Sequence, residues 1–200
     1  IHSELLRKRL LPNFAEMFPD RFCNKTNGVT QRRWLLAANP GLAALITDAI
    51  GDGWITNLDE LAKLKPLAAD SAFREKFRAV KRDNKARFSE WLRKTSNRMI
   101  DPDSIFDCQV KRIHEYKRQL LNLLQIVVVY NRLRNNPSYD MPPRTFFFAG
   151  KAAPAYHLAK LIIKLVGSVS ATIEADPAVR GRLQVQFLPD YNVALAERLI

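Results

Sequence analysis

The sequence predicts an α/β fold in which a Rossmann-like parallel sheet follows an N-terminal helical extension. Residues 105–110 and 183–188 alternate apolar and polar side chains as half-buried strands do, and 144–149 is an apolar run typical of a strand covered on both faces. A helical pattern follows each of the three runs. Such strand–helix repeats form a right-handed, doubly wound parallel sheet, whose ligands bind at the carboxyl ends of the strands.

The residues before the first strand predict helices and turns. Pro12 interrupts the first helical stretch, Asn27-Gly28 is a strong turn signal, and Asn39-Pro40 stops the next helix. The apolar side of the first stretch needs a partner surface. In chain order, the predicted helices cover residues 3–18 in two pieces, 30–39 with Thr30 as cap, 41–50, a short helix opened by Asn57, and 71–94.

Two helices after the strands are predicted in more detail. Residues 120–130 are apolar apart from Asn122 and Gln125, as expected of a helix buried nearly all round. Pro154 is suited to the first turn of a helix that runs from 155 to 174.

Composition limits the functions that the chain can have. Its 200 residues include 32 Lys and Arg against 20 Asp and Glu, a net charge of +12. The cations are interleaved with acids along helical stretches and no nucleic-acid-binding motif appears, so we expect no nucleic-acid partner. No stretch approaches the about 20 apolar residues of a membrane span, and no secretory signal is visible. We therefore expect no membrane partner.

The cysteines and histidines predict neither a disulfide nor a metal site. Cys23 and Cys108 lie far apart without CxxC spacing and are typical of free thiols in a reducing compartment. The three histidines do not have metal-ligand spacing. No G-x-G-x-x-G follows a predicted strand, which disfavours a dinucleotide-dependent enzyme.

The most informative stretch, residues 111–118, links the first strand to its helix. It reads Lys-Arg-Ile-His-Glu-Tyr-Lys-Arg, with four cations and one carboxylate. A cation near a helix N-terminus is unfavourable by roughly 0.3–1 kcal/mol, whereas a bound anion there is favourable. The stretch therefore fits a phosphate site about as well as a solvated basic turn in which Glu115 pairs with Lys111 or Arg118.

The other two predicted strands also end in polar residues. Gly150-Lys151 follows the second strand, where Lys151 is equally well explained as a second anion contact or as an exposed turn lysine. Asp190-Tyr191 follows the third strand. A parallel sheet would gather these residues and the basic turn on one edge.

Four strings across nearly the whole chain resemble the α-glucan phosphorylases, the family of the glycogen, starch and maltodextrin phosphorylases. They occur in the order and spacing of that family, which makes the resemblance far more specific than a lone motif. The strings are NKTNGVT at 24–30 with RRW at 32–34, VKRIHEYKRQLLN at 110–122, GKAAP at 150–154 and FLPDY at 187–191. Gln31 and Asn192 stand where many members have Pro and Arg, so we assign no cofactor contact to Asn192.

The resemblance implies a reaction and its partners. Such enzymes attack the non-reducing end of an α-1,4-glucan with inorganic phosphate and release glucose 1-phosphate. They use pyridoxal 5′-phosphate (PLP) through its phosphate group as a proton shuttle. The resemblance also implies a cytoplasmic enzyme, commonly a homodimer. The lysine that forms the Schiff base with PLP would lie beyond the C-terminal end of this chain, so we expect the 200 residues alone to be inactive.

The resemblance assigns catalytic roles within the basic turn. By resemblance, Arg112 and Lys117 would hold the substrate phosphate, and the planar guanidinium of Arg112 can contact two of its oxygens. Lys111 and Lys117 would face the cofactor phosphate. His114 would support catalysis from the same turn.

Three further site residues are implied outside the turn. Asn27 would hold hydroxyls of the glucosyl unit, although a turn amide of this kind usually satisfies its own backbone. Trp34 and Tyr191 would line the cofactor site, although Trp34 would otherwise be expected in a core.

The resemblance also implies a domain organisation within the C-terminal part of a two-domain GT-B glycosyltransferase fold. We expect residues 1–28 to end the N-terminal domain, residues 29–100 to be a helical lead-in, and residues 101–200 to form part of a Rossmann-like domain that binds cofactor and phosphate. The chain begins without Met and stops inside the apolar helical pattern at 193–200, so we expect a segment of a longer protein. Two alternatives are a nucleotide-sugar glucosyltransferase of the same architecture and a non-enzymatic basic binding module.

Overall fold

The sheet forms where the apolar runs predict it. The computed structural model describes residues 1–25 and 28–200. Its strands β1 (Ile105–Val110), β2 (Arg144–Ala149) and β3 (Leu183–Leu188) are parallel and lie in the order β1-β2-β3. The predicted α/β class and the three strand ranges are therefore confirmed.

Helices precede the sheet and follow each strand, as predicted. In chain order they are α1 (His2–Leu5), α2 (Pro12–Met17), α3 (Pro40–Ile50), α4 (Ser71–Ser96), α5 (Gln119–Asn135), α6 (His157–Ala175) and α7 (Val193–Leu199). Short π-helical segments occur at Leu6–Leu10 and Arg32–Ala37, and 3-10 helices at Pro19–Arg21, Gly53–Ile55, Leu58–Leu64, Pro66–Ala69 and Glu115–Lys117.

The central strand β2 divides the core into two layers. Successive side chains of a strand point to opposite faces. Phe146 and Phe148 are buried in a cluster with residues of α5 and α6, whereas Phe147 and Ala149 are buried in a cluster with residues of α4 and α7. The sheet is therefore covered on both faces, as the apolar run 144–149 predicted.

The N-terminal helices have a smaller core of their own. Trp54 is fully buried against α3, where Ala43 and Ile46 are also buried, and its indole nitrogen donates to the Thr47 hydroxyl (3.1 Å). The first helices differ, because none of the residues in α1 or α2 is buried. Their apolar side stays exposed in this chain, as the sequence led us to expect.

The prediction that residues 120–130 are buried nearly all round is wrong. Leu123 and Ile126 are buried, but Leu121, Leu124 and Val128 are each more than half exposed. The reason is that β1 is the edge strand of the sheet. The exposed flank of α5 and the side chains of β1 line an open groove, and no further element of the described residues fills it.

Two helix starts also differ from the predictions. Thr30 is not the cap of the segment Arg32–Ala37, because Gln31 precedes it and no side chain caps it. Pro154 lies in a turn before α6 and not in its first helical turn. Within the part of the chain that the structure describes, no helix has both the length and the hydropathy needed to cross a membrane.

Candidate active site

The three strand ends meet at one edge of the sheet, as predicted. Val110, Ala149 and Leu188 are register partners across the parallel strands. Two backbone hydrogen bonds continue the pairing past the end of β1: Lys111 N donates to Ala149 O (3.0 Å) and Ile113 N to Lys151 O (3.1 Å). The turns after β1 and β2 are therefore joined through their main chains.

Gly150 allows this close approach. Its φ is +149°, and a Cβ built there would lie 1.9 Å from the carbonyl oxygen of Lys111. A side chain of any size would therefore push the two turns apart. From the sequence, Gly150 was identified as the residue after a strand and as the start of the GKAAP string, but not as a close backbone contact, although a glycine directly after a buried strand is a signal for one.

The basic turn, residues 111–118, is fixed to the hydrophobic core through one buried side chain. Ile113 is buried in the core cluster shared with α5 and α6, whereas Lys111 and Arg112 on its N-terminal side are exposed. A 3-10 turn follows, then Arg118 adopts a left-handed conformation with φ of 63° and α5 begins at Gln119. The backbone of the turn is therefore held in place while its cationic side chains reach solvent.

The predicted pairing of Glu115 with Lys111 or Arg118 is not observed. The Tyr156 hydroxyl donates to the Glu115 carboxylate (2.6 Å), and the Glu115 N–H donates to the same hydroxyl oxygen (3.3 Å). The adjacent carboxylate raises the pKa of Tyr156. The one acid of the turn is thus turned toward a tyrosine 41 residues away in sequence and not toward the cations.

The cations of the turn have no carboxylate partner. Among the described residues, Lys111, Arg112, Lys117, Arg118 and the neighbouring Lys151 take part in no salt bridge. Like charges at close range repel one another, and an exposed cluster of unpaired cations is an attractive site for an external anion. This arrangement favours the phosphate site over a basic turn neutralised by its own glutamate.

Two side chains of the turn contact aromatic rings. The Lys117 ammonium lies 4.6 Å from the centre of the Tyr116 ring. The His114 ring packs between those of Tyr116 and Tyr156, at 4.5 Å and 4.9 Å between centroids, and its Nδ1 accepts from Tyr116 N (3.4 Å). Nδ1 of His114 is thus used to hold the turn, in keeping with a supporting role.

The remaining predicted site residues lie in other surroundings. Tyr191 is half-buried at the same sheet edge but packs on the face covered by α4 and α7. Trp34 is half-buried, and its neighbour Arg33 donates to Glu197 of α7 (2.6 Å), which ties this segment to the helix after Tyr191. Asn27 lies outside the described residues. The structure therefore places Lys111, Arg112, His114, Lys117 and Lys151 on two turns that are joined by backbone hydrogen bonds. Tyr191 lies directly before α7, and Trp34 follows the arginine that pairs with that helix.

A cavity of about 500 Å³ lies away from the basic turn, between α4, β1 and α7. Phe88, Trp91 and Cys108 are among its lining residues, and none of residues 111–118 is. Cys108 is exposed as a residue, but desolvation by the surrounding protein, aided by Asp107, raises the pKa of its thiol to about 11, so the thiol stays neutral at physiological pH. We therefore place the reactive groups at the strand ends and not in this cavity.

The described residues contain no cluster of three or more His, Cys, Asp or Glu side chains that could hold a metal ion. The donors gathered at the strand ends are cationic and are suited to anions.

Two residues that bond to the basic turn could not be recognised from the sequence. Gln119 is fully buried, and its amide forms hydrogen bonds with the backbone of the basic turn. The Tyr156 hydroxyl donates to the Glu115 carboxylate. A glutamine at the start of a helix resembles an ordinary surface residue, and nothing local connects Tyr156 to Glu115. Only the fold brings these groups to the turn.

Comparison with known proteins finds phosphorylases that match along the whole chain. The family model described as "Carbohydrate phosphorylase" matches residues 1–200. Glycogen phosphorylase of Synechocystis sp. is 50% identical over 199 residues, which cover 100% of this chain and 23% of that protein. The muscle form of mouse and the brain form of human glycogen phosphorylase are each 50% identical over 200 residues, covering 100% of this chain and 24% of the relative.

The match covers only part of each relative but includes the candidate site. The chain spans about a quarter of the length of these relatives. Three of the strings that carried the resemblance, VKRIHEYKRQLLN, GKAAP and FLPDY, lie at the three strand ends, so motif and geometry agree there. The chain therefore belongs to the carbohydrate phosphorylase family.

Proposed function

We propose that the protein containing this chain is an α-1,4-glucan phosphorylase, which releases glucose 1-phosphate from the non-reducing end of an α-1,4-glucan with inorganic phosphate. The observation that carries the proposal is the basic turn after β1, whose cations have no carboxylate partner among the described residues and whose glutamate is bonded to Tyr156. The family match supports the same reaction.

The reaction needs several cations at one place. Two phosphate groups must lie side by side, and unit charges 4 Å apart repel by about 1 kcal/mol in water and about 4 kcal/mol near a protein surface. Arg112 and Lys117 hold the substrate phosphate in this proposal, with the guanidinium contacting two oxygens. Their charge is fixed before the reaction and stabilises the negative charge of the transition state.

The chain's residues fit the phosphate group of PLP. Lys111 and Lys117 extend from the turn as exposed or half-buried cations, and Lys151 is joined to the same turn through Ile113. In the proposal Lys111 and Lys117 hold the cofactor phosphate, and Trp34 and Tyr191 line the cofactor site. When bound, PLP would supply a phosphate group that gives and takes a proton beside the substrate phosphate. His114 holds the shape of the turn through Nδ1.

Further parts of the proposal concern the whole protein. Residues 1–28 would end its N-terminal domain, 29–100 lead into the C-terminal domain, and 101–200 form part of the cofactor- and phosphate-binding domain. Asn27 would contribute to glucan binding. We further propose a cytoplasmic homodimer, with the Schiff-base lysine supplied by sequence outside these 200 residues.

The test is an assay of the full-length protein. We expect release of glucose 1-phosphate from maltodextrin and inorganic phosphate, dependent on added PLP after the cofactor has been removed. No release with phosphate, but transfer from a nucleotide-activated glucose, would establish the glucosyltransferase alternative instead.

A second measurement concerns the 200-residue chain by itself. We expect no phosphorolysis and no pyridoxal absorbance band that survives dialysis. A persistent band would show that these residues hold the cofactor without the lysine expected elsewhere.

A further inference from the structure

A buried glutamine forms hydrogen bonds with the backbone of the basic turn from the core side. Gln119 is the first residue of α5 and has no exposed surface. Its Nε2 donates to the carbonyl oxygen of Arg112 (3.1 Å), and its Oε1 accepts from His114 N (3.3 Å). One side chain therefore joins the backbone on both sides of Ile113.

These bonds do not serve the helix that Gln119 begins. The cap residue of α5 is Arg118, and no side chain caps the helix. The amide reaches back five and seven residues to the turn. An amide in the interior is costly unless both of its polar ends are bonded, and an apolar side chain of similar size would avoid that cost. The amide group is therefore explained by the turn and not by the helix or by packing.

The backbone around Arg112 is fixed while its side chain is free. The carbonyl of Arg112 is bonded to Gln119, and the next N–H, that of Ile113, donates to Lys151 O. Gln109 holds the other end of the turn by donating to Lys117 O (3.0 Å). In the described part of the chain, the Arg112 guanidinium has neither a hydrogen bond nor an ion pair. The position of its Cα thus decides where the guanidinium can reach.

We propose that Gln119 is a positioning residue for the anion site: its amide fixes the backbone of Arg112 and so sets where the guanidinium meets phosphate. The inference rests on the proposed function, since it assigns Arg112 to the substrate phosphate. A charged group displaced by about 1 Å can lower the rate by about a hundredfold. Gln119 itself has no exposed surface and acts only through Arg112.

The test compares Gln119→Met with Gln125→Met in the full-length enzyme. Methionine keeps the approximate length and volume of the side chain and removes the amide, and Gln125 is an exposed glutamine of the same helix. We expect Gln119→Met to lower kcat/KM for phosphate by about tenfold to a hundredfold, with the KM for glucan unchanged. Gln125→Met should behave as wild type. Loss of folded protein with an unchanged kcat/KM per folded molecule would overturn the proposal.

A double variant shows whether Gln119 acts through Arg112. If it does, Arg112→Ala/Gln119→Met loses no more activity than Arg112→Ala alone, because the two changes remove one interaction. Fully additive losses would mean that Gln119 acts independently and would overturn the proposal.

A binding measurement separates this proposal from the proposed function. Inorganic phosphate should raise the Tm of the wild type and of Gln125→Met, and raise it less in Gln119→Met. A wild type that responds to phosphate but forms no glucose 1-phosphate would refute the proposed function alone. An equal phosphate response in Gln119→Met would refute the positioning role.

A folding control completes the test. If Gln119→Met does not fold, Gln119→Leu removes the same amide with an uncharged side chain that has no donor or acceptor, and should show the same selective loss of phosphate response. If neither variant folds, Gln119 is needed for the core and the proposal is overturned.

Discussion

The long helix α4 and the basic turn at 111–118 are both rich in cations, but they differ in how those charges are balanced. On α4, Arg78 pairs with Glu75, Arg82 with Asp103, and both Arg93 and Lys94 with Glu90. Among the described residues, the other cations of α4 form no ion pair; these are Arg74, Lys76, Lys81, Lys85 and Arg87. Among the residues that the structure describes, the turn has no such pair. The net charge of +12 therefore does not locate the function. The turn differs from α4 because none of its cations is paired within the described residues and its one acid is bonded to Tyr156.

The difference has a structural cause. A helix places residues three and four positions apart on one face, so Glu75 and Glu90 reach cations of α4 locally, whereas Arg82 pairs with Asp103 beyond the end of the helix. In the turn the only acid is Glu115, and its carboxylate is bonded to Tyr156 in the segment before α6. Positive charge is thus left available at the point where three parallel strands end.

The change expected to affect the turn most is Gly150→Ala. The added Cβ would overlap the carbonyl of Lys111 at a backbone conformation unfavourable for alanine. We expect the free energy of opening of the two turns to fall by about 2–6 kcal/mol, from about 1–3 kcal/mol of backbone strain and a similar cost of overpacking. Hydrogen exchange at the amides of Lys111 and Ile113 during a urea titration of the full-length enzyme measures this change in free energy.

The matched control for that variant is Gly167→Ala in α6. Gly167 is exposed, and outside its own stretch of helix nothing lies within 4 Å of the position that an alanine methyl group would take, so alanine should stabilise the helix by about 0.5–1 kcal/mol. Unchanged exchange at Lys111 in Gly150→Ala would show that the two turns do not need their close contact.

A comparison of Arg112→Ala with Arg93→Ala separates an unpaired cation from a paired one. We expect Arg112→Ala to cost about 2–4 kcal/mol of transition-state stabilisation, the usual scale for one preorganised contact to developing charge. Arg93→Ala, on the surface of α4, should change phosphorolysis negligibly. Steady-state kcat/KM for phosphate gives both values. Normal turnover in Arg112→Ala would remove this residue from the site.

A smaller effect is expected for Lys117→Ala, because the Lys117 ammonium already rests on the Tyr116 ring. Loss of a charged contact to phosphate costs about 1.5–3 kcal/mol. We expect the KM for phosphate to rise while the KM for glucan stays near the wild-type value. Lys94→Ala serves as the control, since Lys94 pairs with Glu90. An unchanged KM for phosphate would contradict the assigned role.

The smallest effect concerns the paired charges of α4. The Arg93 hydrogen bonds, aided by Lys94, lower the pKa of Glu90 from 4.5 to about 2. Because the folded-state pKa is depressed, the stabilisation is present above pH 4.5 and is lost as the pH falls toward 2. Carboxyl NMR titration should show this low midpoint, and Arg93→Ala should return it toward 4.5. Screening by water and salt keeps the effect on stability small. An ordinary midpoint in the wild type would mean that the pair is not formed in solution.

Individual elements show how far the sequence could be trusted. The strand 144–149 was predicted residue for residue because a continuous apolar run between turns has few other stable arrangements. Helix α5 was predicted at the right place but with the wrong burial, because its apolar residues do not reveal which of its neighbours are present. For Glu115 the sequence offered two local partners, and the fold supplied a third.

The sequence by itself determined the order of strands and helices, the position of the basic turn and the family resemblance, because all three are written in local patterns and motifs. Tertiary structure alone decided that Gly150 meets the carbonyl of Lys111, that Tyr156 holds Glu115, and that Gln119 braces Arg112 from the core. The contacts of Gly150 with Lys111 and of Tyr156 with Glu115 each join segments about 40 residues apart, one after β1 and the other after β2. Local periodicity carries no information about such contacts, because they depend on how strands align once the sheet has formed.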